Sequence, residues 1–503
     1  MGVQNDRSCR HIVVIVLGDI GLSPRMQYHA LSCLEHGHRV TLVGYTGEKL
    51  IPMLRESDQR WRVDGHQNHD CQSRLKTIRM EVPVPPKFLR QYLQPIYLLL
   101  RLLGLVYSLT RTLFLIVPGA QIDTREKERL NIPVDCVVVQ NPPSIPLLFL
   151  AYIFCLSRPL LLLPRPGLVI DWHNLGFTMF DISDMHPIRL CARIYERVMA
   201  PLASGHLCVT AAMKSWLMSN FELHKHASSI SVLRDRPPEF FRPTSPAEQH
   251  RLMVKIQRSF EIGAPDLLTK FGVPQKLSKS SSSAACTLFT RITGGKAELR
   301  KDRPALVISS TSWTADEDFS VLLDACTKVE AVTFDSSANF PHVVVIVTGK
   351  GPQKAIYEEK ISRLNLTRLS ILTMWLEAED YPVLLGCADL SVSLHTSTSG
   401  IDLPMKILDS FGCEVPVCAI DFACLDELVV DGKNGRVFRT AAELADQMTE
   451  LLLNVGKNGS NRANGELEHL RQGIRGMTRW RENWEENAKA VILGACPVEG
   501  KGA

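Results

Sequence analysis

The sequence predicts an α/β protein made of two doubly wound domains, each built on a parallel β-sheet. Three observations support this fold class. The chain has 503 residues, more than one hydrophobic core normally serves. Short runs rich in β-branched residues recur in both halves, as in strands buried on both faces. Polar or glycine-containing loops follow these runs, at the strand ends where open α/β sheets bind ligands.

The first βαβ unit is predicted at the start of the chain. His11 to Leu17 forms a strand, Ser23-Pro24-Arg25 opens a helix that stops before Gly37, and Arg39 to Gly44 forms the next strand. The connecting loop contains Gly18 and Gly21, which we predict to contact substrate. The alternative is that these glycines only allow a tight turn.

Later strands of the first domain end in polar loops. The predicted strands are Cys136–Val139, Leu168–Ile170, Leu207–Thr210 and Ile230–Leu233. Gln140-Asn141-Pro142-Pro143 follows the first of them, and Asp171-Trp172-His173-Asn174 follows the second. Since these loops lie at strand ends, we expect them to face a ligand.

Two apolar segments interrupt this pattern, at 91–117 and 145–163. Arg101 and Arg111 lie within the first, and two arginines near the middle of a spanning helix would cost several kcal/mol. An amphipathic helix on or dipping into a bilayer therefore fits segment 91–117 better. The alternative is a core helix of the first domain. Arg158-Pro159 breaks the second segment.

Composition limits the class of protein. A net charge of +4 without a basic cluster argues against nucleic acid as a partner. The 14 cysteines show no CxxC pair, which indicates buried thiols in a reducing compartment. Met1 to Arg10 is polar and leads into a strand, so we expect neither a signal peptide nor an anchor there.

The predicted domain boundaries follow from these patterns. Residues 10–240 form the first domain, which contains the membrane-associating segment 91–117. Residues 241–302 include the Ser-rich run LSKSSSSAAC and form a flexible linker or insertion. Residues 303–455 form the second domain, and 456–503 form a helical tail.

The second domain repeats the strand and loop pattern. Its predicted strands are Ala305–Ser309, His342–Val347, Leu369–Thr373, Leu390–Leu394, Val415–Ala419 and Gly435–Phe438. Thr348-Gly349-Lys350-Gly351 follows the second strand and suits a phosphate, because glycine lets the backbone approach and lysine neutralises charge. The spacing is not that of a Walker A motif, so a P-loop ATPase is not indicated.

The segment from Gly400 to Cys413 carries the strongest binding signal. Pro404 favours a helix from Met405 to Gly412, whose first backbone N–H groups form an anion site. Lys406 lies in the first turn, and Asp409 lies on the same face and can accept hydrogen bonds from a diol. We predict a diphosphate and a ribose here. The alternative is an ordinary helix with a solvated Lys and Asp.

Several long strings resemble the chitobiosyldiphosphodolichol β-mannosyltransferase family. They are VLGDIGLSPRMQYHALSCLEHGHRVTLVGY, QNPPSIP, VIDWHNLGF, YERV, SSTSWTADEDFSVLLDA, VTGKGP, TMWLEAEDYPVLLGCADL and SLHTSTSGIDLPMKILDSFGCEVPVCAIDFACLDELV. The resemblance covers about His11 to Phe438 outside the linker. It implies a GT-B fold, in which two Rossmann-like domains face a cleft. Family members commonly carry an N-terminal membrane anchor, and the run from Arg158 to Pro166 looks longer than the family's corresponding link.

The resemblance implies transfer of mannose from GDP-mannose to GlcNAc2-diphosphodolichol, with a β-1,4 bond as product. It implies the cytosolic face of the endoplasmic reticulum membrane and, as further partners, other early dolichol-pathway mannosyltransferases. No cofactor is expected, and a need for Mg²⁺ is left open. The implied substrate-binding residues are Gly18, Gly21, Arg25, Ser310, Gly349, Lys350, Trp375, Leu376, Asp402, Leu403, Lys406, Asp409 and Glu427, with Arg25 meeting the lipid diphosphate.

The expected reaction is a single displacement with inversion. Retaining GT-B enzymes often carry a second carboxylate ahead of the helix motif, where this chain has Ile401. A base from the first domain would then deprotonate the acceptor hydroxyl. Asp19 is the first candidate, followed by Asp171 and His173, and each has the alternative role of a cap or loop-bracing side chain. Two other functions stay open: a retaining transferase with another nucleotide sugar, and a non-catalytic membrane-bound scaffold.

Overall fold

The structure is a computed structural model, and it divides the chain into two compact units. Unit 1 is Met1–Arg234 with Arg481–Ala503, and unit 2 is Asp235–Trp480. The described residues are 9–55, 74–81, 84–117, 133–180, 182–183, 185–274, 285–314, 317–336, 340–377, 379–396, 400–453, 455 and 465–497.

Unit 1 contains a seven-stranded parallel sheet with the strand order β3-β2-β1-β4-β5-β6-β7. The strands are β1 His11–Asp19, β2 Arg39–Tyr45, β3 Leu75–Met80, β4 Cys136–Asn141, β5 Gly167–Trp172, β6 Gly205–Cys208 and β7 Ile230–Val232. Ile12 pairs with Val40 on one side and Cys136 on the other. The order therefore reverses between β1 and β4, the position where doubly wound sheets bind ligands.

The helices of unit 1 follow the strands in the expected alternation. They are α1 Pro24–Glu35, α2 Lys87–Tyr92, α3 Gln94–Arg111, α4 Leu147–Ser157, α5 Pro187–Met199 and α6 Ala211–Asn220. A π-helical turn, Thr112–Ile116, continues α3. Gly37 ends α1 with φ +81°, and the amides of Gly37 and His38 bond to carbonyls of the last turn, as a glycine stop requires.

Helices α3, α4 and α5 lie on one face of this sheet. The crossovers β3→β4, β4→β5 and β5→β6 run in the same direction along the strand order, and right-handed connections place their helices on the same side. Side-chain contacts agree with this. The rings of Phe114 and Phe154 lie 5.6 Å apart edge to face, and the Phe149 amide donates to the Tyr195 hydroxyl at 2.9 Å.

Unit 2 contains a six-stranded parallel sheet with the order β12-β11-β10-β13-β14-β15 and a separate antiparallel hairpin. The hairpin is β8 Thr290–Thr293 with β9 Lys296–Leu299. The sheet strands are β10 Ala305–Ser310, β11 Val343–Thr348, β12 Leu369–Met374, β13 Leu390–Ser393, β14 Val417–Ile420 and β15 Gly435–Phe438. The helices are α7 Pro246–Gly263, α8 Pro265–Lys270, α9 Ser320–Ser336, α10 Lys354–Ser362, α11 Asp380–Leu385, α12 Met405–Gly412, α13 Ala441–Leu452 and α14 Gly465–Arg475.

The prediction of a flexible linker over 241–302 differs from the structure. Helix α7 begins in a complete capping box between Ser245 and Glu248 and spans 18 residues. Its buried residues Leu252, Ile256 and Phe260 join a core cluster with Leu306 of β10. Since this apolar face repeats every three to four residues, it packs as an ordinary amphipathic helix. Residues 275–284, which hold most of the Ser-rich run, lie outside the described residues.

The carboxyl-terminal segment is divided between the units. Helix α14 belongs to unit 2, whereas most of α15, Trp480–Asn487, and all of α16, Lys489–Gly494, belong to unit 1. The Trp484 indole donates to His29 of α1 at 3.0 Å, and the Asn483 amide donates to the Arg234 carbonyl at 2.7 Å. The expected tail over 456–503 is helical over much of its described part, with α14 in unit 2 and most of α15 and all of α16 in unit 1.

Segment 91–117 is helical, and its two halves differ. Leu98, Leu99 and Leu103 in the amino-terminal half are about half exposed, whereas Leu109 and Leu113 are fully buried. Within the described residues, one helical stretch, Ile96–Ile116, is long and apolar enough to cross a membrane by length and composition, and 22% of it is buried. The second apolar segment gives α4 and a short 3₁₀ turn at Pro159–Leu161.

Candidate functional site

A buried charge cluster lies at the carboxyl end of β5 in unit 1. Asp171 has no solvent exposure and accepts hydrogen bonds from Nε and Nη2 of Arg25, at 2.8 and 2.7 Å. His29 and His173 each place Nε2 on Asp171 Oδ2, at 3.1 and 3.0 Å. Helix α1 supplies Arg25 and His29, and the loop after β5 supplies His173, so two predicted base candidates meet here.

The hydrogen bonds define the protonation of this cluster. Trp484 donates to His29 Nδ1, so the proton of neutral His29 is on Nε2 and points to Asp171. Burial lowers the pKa of His29, and its neutral form is therefore stable. Burial alone would raise the pKa of Asp171, but Arg25 and His173 outweigh that effect and hold it well below the usual range. Asp171 is an ionised acceptor.

His173 is the partly exposed member of the cluster. Its side chain is about a quarter exposed, and its backbone amide donates to the Asn141 carbonyl at 2.8 Å. In the neutral tautomer that donates from Nε2 to Asp171, Nδ1 carries the lone pair. An imidazole oriented by a buried carboxylate is a common arrangement for a general base.

Arg25 has a different role from the one predicted. It is 3% exposed, and beyond Asp171 its guanidinium donates to the Leu233 carbonyl at 2.9 Å. A guanidinium held this way orients Asp171 and ties α1 to the end of β7. The interpretation that Arg25 meets a lipid diphosphate does not fit this burial.

Asp19 braces the loop in which it lies. Its Oδ1 accepts from the Gly21 amide at 2.9 Å and its Oδ2 from the Glu48 amide at 2.7 Å. A Cβ on Gly21 would meet the Glu48 backbone at 2.6 Å, so only glycine fits there, whereas a Cβ on Gly18 would make ordinary contacts. The geometry thus favours the alternative, loop-bracing role for Asp19.

Sequence reasoning did not identify Glu196 as part of this region. Its Oε1 accepts from the Asn141 side-chain amide at 3.2 Å and from the Gly176 backbone at 3.0 Å. Burial raises its pKa to about 7. Glu196 lies on α5, so this helix holds both the end of β4 and the loop after β5. The YERV string contains the residue, but its spacing gave no sign of burial.

In unit 2, the loop after β10 is organised by a second buried carboxylate that was not predicted. Glu317 accepts from the Thr311 hydroxyl and from the Ser312 amide, the latter at 2.8 Å. Its other oxygen forms an ion pair with Lys406 of α12. Lys406 Nζ also lies 3.4 Å from Ser312 Oγ. Glu317 therefore fixes the predicted phosphate-binding lysine against this loop.

The glycines after β11 pack on the same loop. A Cβ on Gly349 would lie 1.8 Å from the Thr311 carbonyl oxygen, and one on Gly351 would lie 1.8 Å from that of Ser312. Gly349 also has φ +141°, so this position requires glycine for two reasons. Lys350 lies between them, with Nζ 3.9 Å from the Trp375 ring centroid in a cation–π contact. The segments bearing Lys350 and Lys406 thus both contact the loop after β10.

Hydroxyl groups and one carboxyl lie beside these lysines. The Ser310 hydroxyl is 3.0 Å from the Tyr381 hydroxyl and 3.2 Å from that of Thr348. Enclosure of the Asp409 carboxyl raises its pKa to about 8, against the opposing effect of Lys406, although the residue as a whole is only partly buried. Burial raises the pKa of the Tyr381 hydroxyl, and Asp409 adds to that increase. Such groups can bind a diol or a ribose.

The remaining predicted donor contacts occupy varied positions. Trp375 is 55% exposed, whereas Leu376 is buried in a core cluster and offers only its backbone. Leu403 packs against the buried residues of α12. Asp402 precedes that helix and its carbonyl accepts from the Cys424 thiol at 3.6 Å. Glu427 ends a 3₁₀ turn after β14.

The described residues contain no group of three His, Cys, Asp or Glu side chains that could hold a metal ion. Around Ser312, Lys406, backbone amides and hydroxyls are groups that bind anions, and the Glu317 carboxylate already accepts from the Ser312 amide and pairs with Lys406.

Comparison with known proteins identifies relatives over nearly the whole chain. Residues 303–454 match the family described as Glycosyl transferases group 1. A human protein named Chitobiosyldiphosphodolichol beta-mannosyltransferase is 36% identical over 495 residues, covering 97% of this chain and 94% of its own length. An Arabidopsis thaliana protein named UDP-glycosyltransferase TURAN is 38% identical over 510 residues, with 97% of both chains covered.

Solved structures share the fold. A glycosyltransferase from Rickettsia africae has a TM-score of 0.54 at 13% identity, covering 96% of this chain and 98% of its own. Anabaena HepE, solved with UDP and glucose, has a TM-score of 0.52 at 13% identity, covering 95% and 97%. Together with the two parallel sheets, these matches confirm the predicted GT-B fold class.

Proposed function

The chain belongs to the chitobiosyldiphosphodolichol beta-mannosyltransferase family and is a glycosyltransferase, and from this premise we propose that it transfers mannose from GDP-mannose to GlcNAc2-diphosphodolichol. The observation that carries the proposal is the 36% identity to a named member across 94% of that member's length. The product is the β-1,4-linked mannoside.

His173 acts as the general base in this proposal, with Asp171 as its orienting partner. The acceptor hydroxyl oxygen attacks mannose C1, the bond from C1 to the GDP oxygen breaks, and GDP leaves with the electron pair. The hydroxyl proton passes to His173 Nδ1. We prefer His173 to Asp19 because both Asp19 oxygens already accept backbone amides, whereas His173 is partly exposed.

Unit 2 stabilises the departing diphosphate. Lys406, fixed by Glu317, and Lys350, beside Trp375, supply two positive charges, and the first amides of α12 add the dipole of a helix terminus. Asp409 and the hydroxyls around Ser310 bind the ribose. Fixed donors of this kind lower the barrier because they need no reorganisation during the reaction.

GDP-mannose is proposed as the donor, although the Arabidopsis relative carries a name with UDP. Competition separates the two nucleotides. We expect GDP to inhibit transfer and to protect the enzyme against heat at concentrations where UDP has no effect. Stronger protection by UDP would make the donor a UDP-sugar.

Association with the cytosolic face of the endoplasmic reticulum membrane completes the proposal. The amino-terminal half of α3 supports it, because leucines are exposed there and the sequence from Val82 to Ile122 contains four Lys or Arg but no Asp or Glu. Other early dolichol-pathway mannosyltransferases are the proposed protein partners.

One experiment tests the reaction. The enzyme is incubated with radiolabelled GDP-mannose and a synthetic GlcNAc2-diphospholipid, and the product is digested with α- or β-mannosidase. Label released by β-mannosidase alone is the expected result. Release by α-mannosidase would indicate a retaining enzyme, and a lack of both GDP and labelled lipid would indicate a scaffold without activity.

A further inference from the structure

Helix α5 carries an exposed apolar surface that takes no part in the packing of unit 1. At 100° per residue, the buried residues Ala192, Glu196 and Met199 lie on one face of α5, which packs against the rest of unit 1. The opposite face shows the outer stripe, which we define as Leu190, Cys191, Ile194 and Val198. Leu190, Ile194 and Val198 are about half exposed. A surface helix normally presents polar residues there.

An arginine row flanks the outer stripe. Arg189, Arg193 and Arg197 follow one another at four-residue spacing, between the buried face and the outer stripe. Within α5 itself the only acidic residue is Glu196, which is buried, whereas Asp181 and Asp184 precede the helix in the sequence. Arg197 pairs with Glu222, but both are more than half exposed, and such pairs contribute little energy. Arg197 can therefore exchange this partner for another anion.

The residues before α5 extend the apolar surface. Met179 and Met185 are 60% and 84% exposed, and Phe180 is also exposed. On the neighbouring helix α4, Phe149 is exposed and its amide bonds to Tyr195 of α5. Since α3, α4 and α5 lie on one face of the sheet, the outer stripe continues the exposed leucines of that face.

We propose that the outer stripe of α5 is a second membrane contact, which binds the surface of a phospholipid bilayer while the arginine row binds lipid phosphates. An apolar stripe beside a cationic row is the pattern of helices that lie in the membrane interface. At 13 residues, α5 is too short to span a bilayer. The complementary charge of anionic lipid phosphates favours this occupant over a neutral apolar partner.

The inner face of α5 gives this contact a consequence for catalysis. Glu196 holds the Gly176 amide, and Arg193 lies over the Phe177 ring at 5.7 Å, so α5 packs directly on the loop that carries His173. A bilayer against the outer stripe holds this loop near the level of the lipid headgroups, where the diphosphate of a lipid-linked acceptor lies. This consequence rests on the proposed function, whereas the membrane contact itself does not.

Vesicle flotation tests the contact with the full chain. The double variant Ile194→Asp/Val198→Asp is compared with Ile356→Asp/Val332→Asp, which makes the same changes on unit 2 at positions of similar exposure. Vesicles contain phosphatidylcholine with 30% phosphatidylserine in one arm, about the content that attracts basic segments, and phosphatidylcholine alone in the other. We expect the first variant to lose about tenfold or more of its partition onto anionic vesicles, since two aliphatic side chains leave the lipid. The control keeps wild-type partition.

The outcomes separate this inference from the proposed reaction. With acceptor dispersed in detergent, both double variants should transfer mannose at the wild-type rate. With acceptor in vesicles, the transfer rate should fall for Ile194→Asp/Val198→Asp but not for the control variant. Equal flotation of both variants would overturn the membrane contact and point to a protein partner. Inactivity of every form in detergent would overturn the proposed reaction alone.

A fluorescent label gives a second measurement that needs no disruptive substitution. Cys191 lies on the outer stripe and is exposed, so it can carry a nitrobenzoxadiazole group in a background where the partly exposed Cys9, Cys286 and Cys424, and also Cys71, are changed to Ser. Vesicles should shift the emission to the blue and increase its intensity. An unchanged spectrum on vesicles that float the protein would contradict the proposal.

Discussion

At the scale of single residues, chemistry in unit 1 depends on which group near β5 can accept a proton. His173→Ala should lower kcat by about 10²–10⁴-fold, because it removes the proposed general base. The calorimetric affinity for GDP-mannose should be unchanged, since the proposed donor-binding groups are on unit 2. Imidazole added to the variant should restore part of kcat.

Asp19→Asn is the matched control for this prediction. It removes one carboxylate oxygen from the loop brace but leaves His173 in place, so kcat should fall less than the His173→Ala variant does. If Asp19→Asn lowers kcat as much as His173→Ala does, and added formate restores kcat, then Asp19 is the base. That result would return the assignment to the first candidate from sequence.

Glu196 gives unit 1 a pH-dependent stability. Its folded pKa of about 7 is higher than that of an exposed glutamate, so the folded state holds an extra proton between roughly pH 4.5 and 7. The stabilisation is therefore present at low pH and is lost as pH rises to 7. Glu196→Gln keeps the acceptor oxygen but cannot ionise. At pH 8 the free energy of unfolding of this variant should therefore exceed that of the wild type by on the order of 3 kcal/mol.

Calorimetry from pH 5 to pH 8 measures this difference. The unfolding midpoint of the wild type should fall relative to Glu196→Gln across the range, and the two should converge near pH 5. Subtracting the variant removes contributions from other groups, including Asp409. A constant difference across the range would show that Glu196 does not titrate there.

Lys406 and Glu317 can be separated by a pair of variants. Lys406→Met should reduce kcat by about 10²–10³-fold, as removal of one charge-stabilising donor does. It also removes the nearest cation from the buried Glu317 carboxylate and should destabilise unit 2. Lys406→Met/Glu317→Gln should regain stability but not activity. Recovery of activity in the double variant would contradict the role of Lys406 toward GDP.

At the scale of elements, strands and most site loops could be predicted because their signal is local. β-branched runs marked β1, β10 and β11, and Pro404 with Gly412 marked α12 to its observed bounds. The chemistry of the loops was less visible. Nothing in the spacing of Arg25, His29 and Asp171 shows that 146 residues of chain fold back to bring Arg25 onto Asp171.

Helix α7 was missed because the Ser-rich run after it outweighed the helix-start signal in its own sequence. Ser245-Pro246-Ala247-Glu248 is a capping-box sequence with proline at the first helical position, yet the nearby serines favoured a linker. Ser245→Ala should destabilise unit 2 by about 1 kcal/mol, the usual value of an N-cap. Denaturant unfolding measures it, and Ser362→Ala serves as control because Ser362 only bonds back to Glu359 within its own exposed helix. Equal effects would show that the cap contributes nothing.

At the scale of the whole molecule, unit 1 is assembled from both ends of the chain. Trp484 is fully buried and donates to His29, and a Cβ on Gly167 would lie 2.1 Å from the Ala495 carbonyl oxygen. Asn483 closes the contact through the Arg234 carbonyl. Sequence patterns are read within short windows, so they could indicate a helical tail but not the residues of unit 1 that it contacts.

Truncation tests whether this return is required for unit 1. A chain ending at Trp480 lacks Trp484 and α16, so the face of unit 1 around β5 and α1 loses its cover, and His29 loses the donor that sets its tautomer. Unit 2 keeps α14. Calorimetry should then show one transition at the wild-type temperature and one strongly lowered, while a chain ending at Pro497 should unfold like the wild type. Because His29 also holds Asp171, the shorter chain should lose transfer but retain GDP binding, and loss of both together would mean that unit 2 depends on the same segment.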